Sequence, residues 1–336
     1  MKHCIFCGSS HEGKFCPPSS FGVIVCKNCK NEVLMPYDAI SLSMNCVCGD
    51  CEQISWDVRP ATIDDVIKSN PDYGKYCTNI RSFDLRKVNS ATKYPSILTY
   101  HALGDKGRLK EEVQVSFDSV EEVFTTEKID GTNSRIILFP KSMYLIGSRE
   151  ELLHAYGDII FNPTLDIVET VRTIADNARR MLHDELEQSV YVLFGETYGG
   201  KTSSNAKQYT KTGQLGFRLF DVMTMGAKEF EELLDLPLEE IASWRDKGGQ
   251  KFLTKDEIEK IAKRIYCDLV PNVSAYDLPK SVQETYEWLR YVLPGFTFAS
   301  LDKDLEGKPE GVVVRTADRS KIAKIRFEDY ERTIKK

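Results

Sequence analysis

Short runs of apolar and β-branched residues, separated by turn-forming residues, recur along the chain after about residue 95. They predict β-strands at 122–127, 134–139, 143–146, 190–194, 217–222, 311–315 and 321–326. Between these runs, apolar residues at helical spacing predict helices at 164–186, 227–234, 255–265 and 281–289. Strands interleaved with helices in this way predict an α+β domain with mainly antiparallel sheets.

The amino-acid composition is that of an ordinary globular protein. The chain has 336 residues, of which 41% are hydrophobic and 29% are charged, and this composition excludes disordered, collagenous and fibrous classes. No apolar run approaches the roughly 20 residues that a membrane helix needs, and the first residues form no signal core. We therefore expect a cytoplasmic protein without a membrane partner, and the length predicts two domains.

Cysteines are concentrated near the amino terminus, where eight of the ten lie at positions 4, 7, 16, 26, 29, 46, 48 and 51. Six of them form C-x2-C pairs, and two neighbouring pairs at a time give C-x2-C-x18-C-x2-C, the spacing of a zinc ribbon. A structural Zn²⁺ is favoured over disulfides because no secretory signal is present. The spacing leaves open which pairs share an ion, and whether one or two ions bind, among the candidate ligands Cys4, Cys7, Cys26, Cys29, Cys48 and Cys51.

These patterns divide the chain into three parts. Residues 1–56 form a small, β-rich, zinc-ribbon-like module, residues 57–95 read as a polar connector, and residues 96–336 form the larger domain. Because about fifty residues bury little apolar surface, the module is expected to depend on its metal for folding.

Polar motifs follow several of the predicted strands in the larger domain. The run from Glu127 to Asn133 reads Glu-Lys-Ile-Asp-Gly-Thr-Asn, and strand alternation predicts that Lys128 and Asp130 share a face. A lysine amine is a nucleophile only when it is unprotonated, so it needs cationic neighbours or partial burial. Such neighbours are offered by five further motifs at strand ends, at 147–149, 194–196, 217–221, 310–315 and 321–326.

Together these motifs resemble the covalent nucleotidyltransferase superfamily, and within it the ATP-dependent RNA ligases of the branch typified by the second phage RNA ligase. The resemblance covers about residues 94–336. It implies a nucleotidyltransferase (adenylylation) domain in which Lys128 takes AMP from ATP as a lysyl-AMP. The AMP then passes to a 5′-phosphate, and a 3′-hydroxyl displaces it to seal the strand.

The resemblance also implies a role for each matching residue. Glu127 would lie near the adenine and Phe220 would stack on it, while Arg149 and Glu196 would meet the phosphate or the ribose. Glu310 would organise Mg²⁺ or Mn²⁺, and Asn133 would contact the nucleic-acid end. The α-phosphate would be clamped by Arg315, Lys324 and Arg326, and the catalytic set would be Lys128, Asp130, Glu310 and Lys324.

Charge adds a candidate surface for nucleic acid, although the formal net charge is −6. Between Thr197 and Arg218 there are four basic residues and no acidic one, which predicts either a contact to backbone phosphates or an exposed loop. The expected partners are RNA ends, or nicks in RNA or DNA, in RNA repair. Because few residues follow Arg326, the resemblance predicts no carboxy-terminal OB domain, and the zinc module or an accessory protein would take its place.

Three other functions remain open at this point. The same motifs suit a DNA ligase of the superfamily, and an inactive transferase fold with a zinc module could simply bind nucleic acid. The run from Gly195 to Thr202 also fits the P-loop pattern G-x4-G-K-T after a strand. A P-loop NTPase would require a helix directly after Lys201, where the sequence has almost no apolar stripe.

Overall fold

The structure is a computed structural model that describes residues 21–36, 40, 47–61, 65, 84–118, 120, 122–140, 143–155, 164–273 and 277–334. Two of the candidate ligands, Cys4 and Cys7, lie outside the described residues, as do Cys16, Cys46 and the greater part of the predicted connector.

The amino-terminal module is built on three antiparallel strands: β1 (Phe21–Cys26), β2 (Glu32–Pro36) and β3 (Trp56–Pro60). Strand β1 is central, and β2 and β3 pair with its two edges. A small cluster of buried side chains packs against the sheet, formed by Ile24, Cys26, Ile40, Cys48 and Trp56.

The rest of the chain has α+β architecture, as predicted. Its strands are β4 (Leu98–Thr99), β5 (His101–Leu103), β6 (Leu109–Val113), β7 (Val123–Lys128), β8 (Thr132–Phe139), β9 (Met143–Ser148), β10 (Leu152–Ala155), β11 (Ser189–Gly199), β12 (Leu215–Gly226), β13 (Gly311–Thr316) and β14 (Ile322–Arg326). Its helices are α1 (Leu85–Ala91), α2 (Ile167–Met181), α3 (Ala227–Asp235), α4 (Leu238–Asp246), α5 (Lys255–Arg264), α6 (Val282–Val292) and α7 (Phe327–Ile334).

A five-stranded antiparallel sheet, in the order β10-β9-β8-β11-β12, is covered on both faces. Helices α2 and α5 pack on one face, against Ile136 and Leu138 among others. Helices α1, α3 and α4 pack on the other face, against Ile137 and Phe139. Burial on both faces explains why β8 is apolar without interruption near its end rather than alternating.

A four-stranded sheet, in the order β4-β14-β13-β7, faces the first sheet across a cavity. All its pairs are antiparallel except β14 with β4. The face turned away from the cavity packs against α6 and α7 through Val312, Val314, Ala323 and Ile325. Strands β5 and β6 form a separate two-stranded sheet beside these helices.

Three helices were not predicted, and each is short. Helix α1 lies inside the predicted connector, but Val88 and Ala91 are fully buried against the five-stranded sheet. Helix α4 lies partly in an acidic stretch and buries only Ile241, and α7 follows β14 directly. In the part of the chain that the structure describes, no helix is long and apolar enough to cross a membrane.

Candidate active site

A cavity of about 430 Å³ lies between the two larger sheets, and this volume is in the range of small-molecule sites. The four-stranded sheet lines it with Phe124, Thr126, Lys128, Val313, Arg315, Ile322 and Lys324. The five-stranded sheet and its turns contribute Thr132, Asn133, Arg149, Glu196, Leu219, Phe220 and Asp221. Eight of the residues singled out by the sequence therefore line one cavity: Glu127, Lys128, Asn133, Arg149, Glu196, Phe220, Arg315 and Lys324.

Lys128 is the last residue of β7, and the strand register fixes its main partner. Gly311 of β13 pairs with Lys128, which sets Glu310 beside it. The Lys128 ammonium donates to a Glu310 carboxylate oxygen at 2.6 Å. Both side chains are mostly buried, with 27% and 18% of their surfaces exposed, so this ion pair is only partly screened by water.

The turn after Lys128 is held by residues from elsewhere in the chain. The Asp130 backbone N–H donates to the Tyr209 hydroxyl at 2.8 Å, and the Asp130 carboxylate accepts from the Asn205 amide at 2.5 Å. A Cβ at Gly131 would stand 2.3 Å from the Thr197 carbonyl oxygen, so only glycine fits there. Asp130 thus turns toward Asn205, and it is not among the residues that line the cavity.

Glu127, directly before the lysine, is buried and hydrogen-bonded. Its carboxylate accepts from the Thr297 hydroxyl and, at 2.7 Å, from the Phe298 backbone N–H. Burial raises the pKa of Glu127, and the Thr297 hydrogen bond opposes that rise. These two hydrogen bonds fix Glu127 before Lys128, and the Tyr209 hydrogen bond fixes the turn after it.

Charged groups around Lys128 have shifted pKa values. Burial raises the pKa of Glu196 to about 8, with nearby Glu310 adding to the rise and Lys128 opposing it. Burial likewise raises the pKa of Glu310 against the pull of Lys128. Burial, together with the positive charges of Arg326 and Lys128, lowers the pKa of Lys324. Shifts of this kind concentrate where charge must change during a reaction.

Phe220 reaches the cavity because β12 carries a β-bulge. Phe194 pairs with Asp221 and Gly195 pairs with Leu219, so Phe220 is the extra residue. Bulges re-aim side chains beside functional sites, and here Phe220 is half-buried in the cavity wall with its ring edge-on to Tyr94 at 5.0 Å. A Cβ at Gly195 would meet the Phe217 ring at 2.2 Å, which accounts for the glycine of the Phe-Gly-Glu motif.

Arg315 does not lie beside the lysine. It pairs with Phe124, four residues before Lys128 along β7, a separation of about 13 Å at the usual rise of a strand. Its guanidinium is buried against Asp221, with 2.5 Å between the two groups. The same carboxylate accepts from the Tyr94 hydroxyl at 2.5 Å and from Arg319 at 2.7 Å. Arg315 lines the same cavity as Lys128, and its contact to the α-phosphate stays a prediction.

The remaining predicted residues differ in the exposure and the hydrogen-bond partners of their side chains. Arg149 is 60% exposed; its guanidinium lies 3.6 Å from the exposed Glu150 carboxylate and donates to the Ser96 hydroxyl at 3.4 Å. The side-chain amide oxygen of Asn133, Oδ1, is buried without a hydrogen-bond partner among the described residues. Arg326 makes two 2.8 Å hydrogen bonds to Asp329, which hold it away from the cavity lining.

Several residues that shape the site were not singled out by the sequence. Neither Tyr209 nor Thr297 lies in one of the strand-end motifs. Tyr209 contacts Asp130, and Thr297 contacts Glu127, only because the fold brings them together. Tyr94 and Arg319 are likewise distant in sequence from Asp221, which they contact. Of the network around Asp221, only Asp221 itself, as the residue after Phe220, and Arg315 lay within recognised motifs.

The P-loop interpretation is wrong. Glu196–Gly199 continue strand β11 of an antiparallel sheet, rather than leaving a parallel one. The described residues after Lys201 form a loop with one 3₁₀ turn, Ala206–Gln208, and no α-helix begins there. The backbone N–H groups of a helix amino terminus, which a P-loop needs, are therefore missing.

The cysteine module brings four thiols together. The sulfurs of Cys26, Cys29, Cys48 and Cys51 all lie within 4.8 Å of one another, with two separations of 3.5 Å. A tetrahedral Zn²⁺ with 2.3 Å bonds would need about 3.8 Å between sulfurs. Each pair lies on a similar turn, in which Lys30 N–H donates to the Cys26 carbonyl and Glu52 N–H donates to that of Cys48. The four thiols therefore fit a structural zinc ion.

No comparable ready-made cluster of carboxylates exists among the described residues, where the four cysteines are the one group of three or more converging ligands. Mg²⁺ commonly binds through one or two carboxylates together with substrate phosphates. Glu310 beside Lys128 fits such a shared site.

Comparison with known proteins adds the family. The model of the RNA ligase family matches residues 121–335, more than half of the chain. A comparison with curated proteins found no match.

Among solved structures, three variants of Naegleria gruberi RNA ligase are similar to the chain. A complex with ATP and Mn has 15% identity and a TM-score of 0.43, covering 94% of this chain and 77% of that one. A complex with AMP and Mn has 15% identity and a TM-score of 0.44, with coverages of 89% and 71%. A further ATP and Mn complex has 15% identity and a TM-score of 0.42, and the chain spans 62% of its length while 70% of this chain is covered. On the family match, this chain belongs to the RNA ligase family.

Proposed function

We propose that the protein is an ATP-dependent RNA ligase that acts through a covalent lysyl-AMP. The observation that carries this proposal is the position of Lys128, whose amine lies in the cavity between the sheets and donates to Glu310 at 2.6 Å. A lysine used only for solubility would point into solvent rather than into a cavity lined by other members of the same motif set.

The first step would transfer AMP to the protein. The Lys128 ammonium first loses a proton to solvent, and its amine then attacks the α-phosphorus of ATP. A P–N bond forms, the bond to pyrophosphate breaks, and a second proton leaves the nitrogen. Glu310 orients the amine through their hydrogen bond. Lys324 lines the same cavity and would stabilise the charge that develops on the phosphate oxygens. Phe220 would lie against the base, and Glu127 would be within reach of its edge.

The next steps would use the stored AMP. An oxygen of an RNA 5′-phosphate attacks the AMP phosphorus and releases the Lys128 amine, which gives a 5′-5′ pyrophosphate. The 3′-hydroxyl of the second end then attacks the 5′-phosphate and expels AMP. Arg149 is exposed at the cavity mouth and can meet the incoming phosphate. The side-chain amide oxygen of Asn133, which has no partner among the described residues, can accept a hydrogen bond from a ribose hydroxyl.

Two metal ions would support this function. Mg²⁺ or Mn²⁺, held by Glu310 and the substrate phosphates, would neutralise phosphate charge. Zn²⁺, held by Cys26, Cys29, Cys48 and Cys51, would stabilise the amino-terminal module. We expect about one zinc ion per chain from this cluster by elemental analysis, and Cys48→Ser should remove it.

The domain division is part of the proposal. We place the end of the zinc module at Pro60 rather than at residue 56, because β3 pairs with β1 along its whole length. We place the start of the adenylylation domain near Asp84 because α1 is anchored to it. The Lys87 ammonium donates to the Leu234 carbonyl at 2.8 Å, and Arg245 donates to the Ser90 carbonyl at 2.8 Å.

The direct test is incubation with ATP labelled at the α-phosphate, in the presence of Mg²⁺. The wild-type chain should retain covalent label, and Lys128→Ala should lose it because no other amine lies at that position. Lys247→Ala is the matched control, since this lysine is exposed and does not line the cavity. Label that survives Lys128→Ala would refute the assignment.

Sealing assays then separate the remaining functions. Joined RNA ends or RNA nicks support an RNA ligase, and equal or better sealing of DNA nicks would favour a DNA ligase. Nucleic-acid binding with no label under any nucleotide would favour an inactive transferase fold.

A further inference from the structure

A loop beside the candidate active site carries lysines that have no acidic partner. The loop, residues 200–214, joins β11 to β12 and is called the lysine loop here. Lys201, Lys207 and Lys211 are exposed on it. None of the three is within ion-pair distance of a carboxylate among the described residues, although the Lys211 ammonium donates to the Asp304 carbonyl at 3.1 Å. Their charges are therefore available to an outside anion.

The lysine loop is fixed in place, although it is exposed. The Asp302 carboxylate accepts from the backbone N–H groups of Lys211, at 2.5 Å, and Thr212, at 3.4 Å. On the other side, Asn205 donates to Asp130, two residues after Lys128. A solvated charged face needs no such anchoring, whereas a surface that presents cations at set positions beside the nucleophile does.

Two exposed aromatic rings lie on a neighbouring segment. Phe296 and Phe298 are 39% and 43% exposed, and their ring centroids are 5.4 Å apart in an edge-on arrangement. Between them, Thr297 is buried and holds Glu127. The alternation thus fixes the backbone of this segment to the residue before Lys128 and turns both rings outward.

The segment that carries Phe296 and Phe298 contacts the lysine loop. The Gly307 carbonyl accepts from the Thr297 N–H at 2.7 Å, while a Cβ at Gly307 would stand 1.7 Å from the Gln208 carbonyl oxygen. The next residue, Lys308, donates its backbone N–H to the Gln208 side chain at 2.7 Å. Gly307 is therefore the contact point between the two segments, and both border the strand and turn that contain Lys128.

We propose that the lysine loop together with Phe296 and Phe298 binds a single-stranded end of the RNA substrate. The lysines would contact backbone phosphates, and the two rings would stack on unpaired bases. The inference rests on the proposed function for the identity of the substrate. Unpaired cations next to exposed aromatic faces form the usual combination for binding single-stranded nucleic acid.

Nucleic acid is the occupant that the charges favour. The stretch from Thr197 to Arg218 has four basic residues and no acidic one, and the carboxylate that touches it, Asp302, is occupied by the loop's own N–H groups. An apolar protein partner would use the two rings but would leave the three lysines without a role. A fully paired duplex would use the lysines but would hide its bases from the rings.

The test measures binding of a labelled single-stranded RNA of about 12 nucleotides, without ATP, over a series of salt concentrations. Three variants are compared: a loop triple (Lys201→Gln, Lys207→Gln, Lys211→Gln), an aromatic pair (Phe296→Ser, Phe298→Ser), and a control triple (Lys247→Gln, Lys260→Gln, Lys263→Gln). The control removes the same charge from exposed lysines on and near helices α4 and α5.

The two parts of the surface should leave different signatures. The loop triple should weaken binding and make the slope of log K against log salt shallower by about 2, since each phosphate contact on a single strand contributes about 0.7. The aromatic pair should weaken single-strand binding by about fivefold or more for each ring and leave the slope unchanged. The same pair should bind blunt duplex RNA as the wild type does, and the control triple should behave as the wild type on both ligands.

Wild-type affinity and salt slope in the loop triple would overturn the proposal. So would an aromatic pair that loses single-strand and duplex binding equally, because that result would show no stacking on bases. Thermal unfolding of each variant, within a few degrees of the wild type, confirms that folding is not the cause. Because no ATP is present, a wild-type chain that fails to label at Lys128 but shows these signatures would refute only the proposed function. Labelling with unaltered RNA binding in both variants would refute only this inference.

Discussion

The two ends of the cavity differ in how their charged groups are paired. At the lysine end, formed by Lys128, Glu196, Glu310 and Lys324, one ion pair is made and the pKa values of both carboxyls are raised. At the Asp221 end, formed by Tyr94, Asp221, Arg315 and Arg319, one carboxylate that is 1% exposed accepts hydrogen bonds from the other three.

This difference separates reactive charge from structural charge. A buried carboxylate with three donors is stabilised in one state, so the Asp221 end resists any change of charge or geometry. Through these hydrogen bonds, Asp221 links the segment before β4, the bulge of β12 and the turn after β13. Arg319 also makes a cation-π contact, with its guanidinium carbon 3.6 Å from the centroid of the Phe252 ring. The lysine end holds its charges with fewer partners, which leaves them free to meet phosphate. Activity should therefore depend on one end, and stability on the other.

The largest effect on stability is expected for Asp221→Asn. The substitution leaves the buried guanidiniums of Arg315 and Arg319 without their counter-charge, and breaking a buried pair in this way costs about 3–5 kcal/mol. Urea unfolding should show a loss of that size. Asp246→Asn, at an exposed carboxylate paired with Arg245, is the control and should change the free energy of unfolding by less than about 0.5 kcal/mol. A loss below about 1 kcal/mol for Asp221→Asn would mean that this end is not a scaffold.

The next effect, on activity, is expected for Lys324→Ala. Removing one group that stabilises developing charge costs about 2.7–4 kcal/mol, or a factor of roughly 10² to 10³ in rate. The rate of lysyl-AMP formation, measured by labelled ATP in a single turnover, should fall by that factor while urea unfolding stays near the wild type. Lys321→Ala, just before β14 and not in the cavity lining, serves as the control. A rate within a few-fold of the wild type would place the charge stabilisation elsewhere.

The contrast between the two ends could not be predicted from the sequence. Alternation along β13 and β14 puts Arg315 and Lys324 on the same face, and both are cations in matching motifs. Their difference depends on register, which pairs Arg315 with Phe124 and Val313 with Lys324. It also depends on Asp221, which meets Arg315 only because β12 bulges at Phe220. Seven strands of the two larger sheets were predicted, since short apolar runs between turn residues indicate strands, but β4, β5, β6 and β10 were not.

The residues that hold the backbone on either side of Lys128 could not be predicted from the sequence either. Tyr209 and Thr297 act through one hydroxyl each, and their partners lie 79 and 170 residues away. Helices α1, α4 and α7 were missed for a related reason: they have 7, 9 and 8 residues and bury few side chains, so tertiary packing rather than local pattern stabilises them. What the sequence did establish was the set of motifs that meet in one cavity.

The last prediction tests the lysine end through pH. Burial raises the pKa of Glu196 to about 8, whereas an unfolded glutamate titrates near 4.3. Between these values the folded chain binds more protons than the unfolded chain, so this residue should make stability fall as pH rises from about 4.5 to about 8. Glutamine stays neutral, and Glu196→Gln should therefore melt close to the wild type at pH 5 and a few degrees above it at pH 8.5, without added Mg²⁺.

Glu185→Gln offers a contrast of opposite sign: the Arg264 hydrogen bond lowers the pKa of Glu185, so its loss should lower stability at pH 8.5. Parallel melting curves for Glu196→Gln and the wild type across this range would mean that Glu196 carries its charge at neutral pH, and the lysine end would then be as fully paired as the Asp221 end.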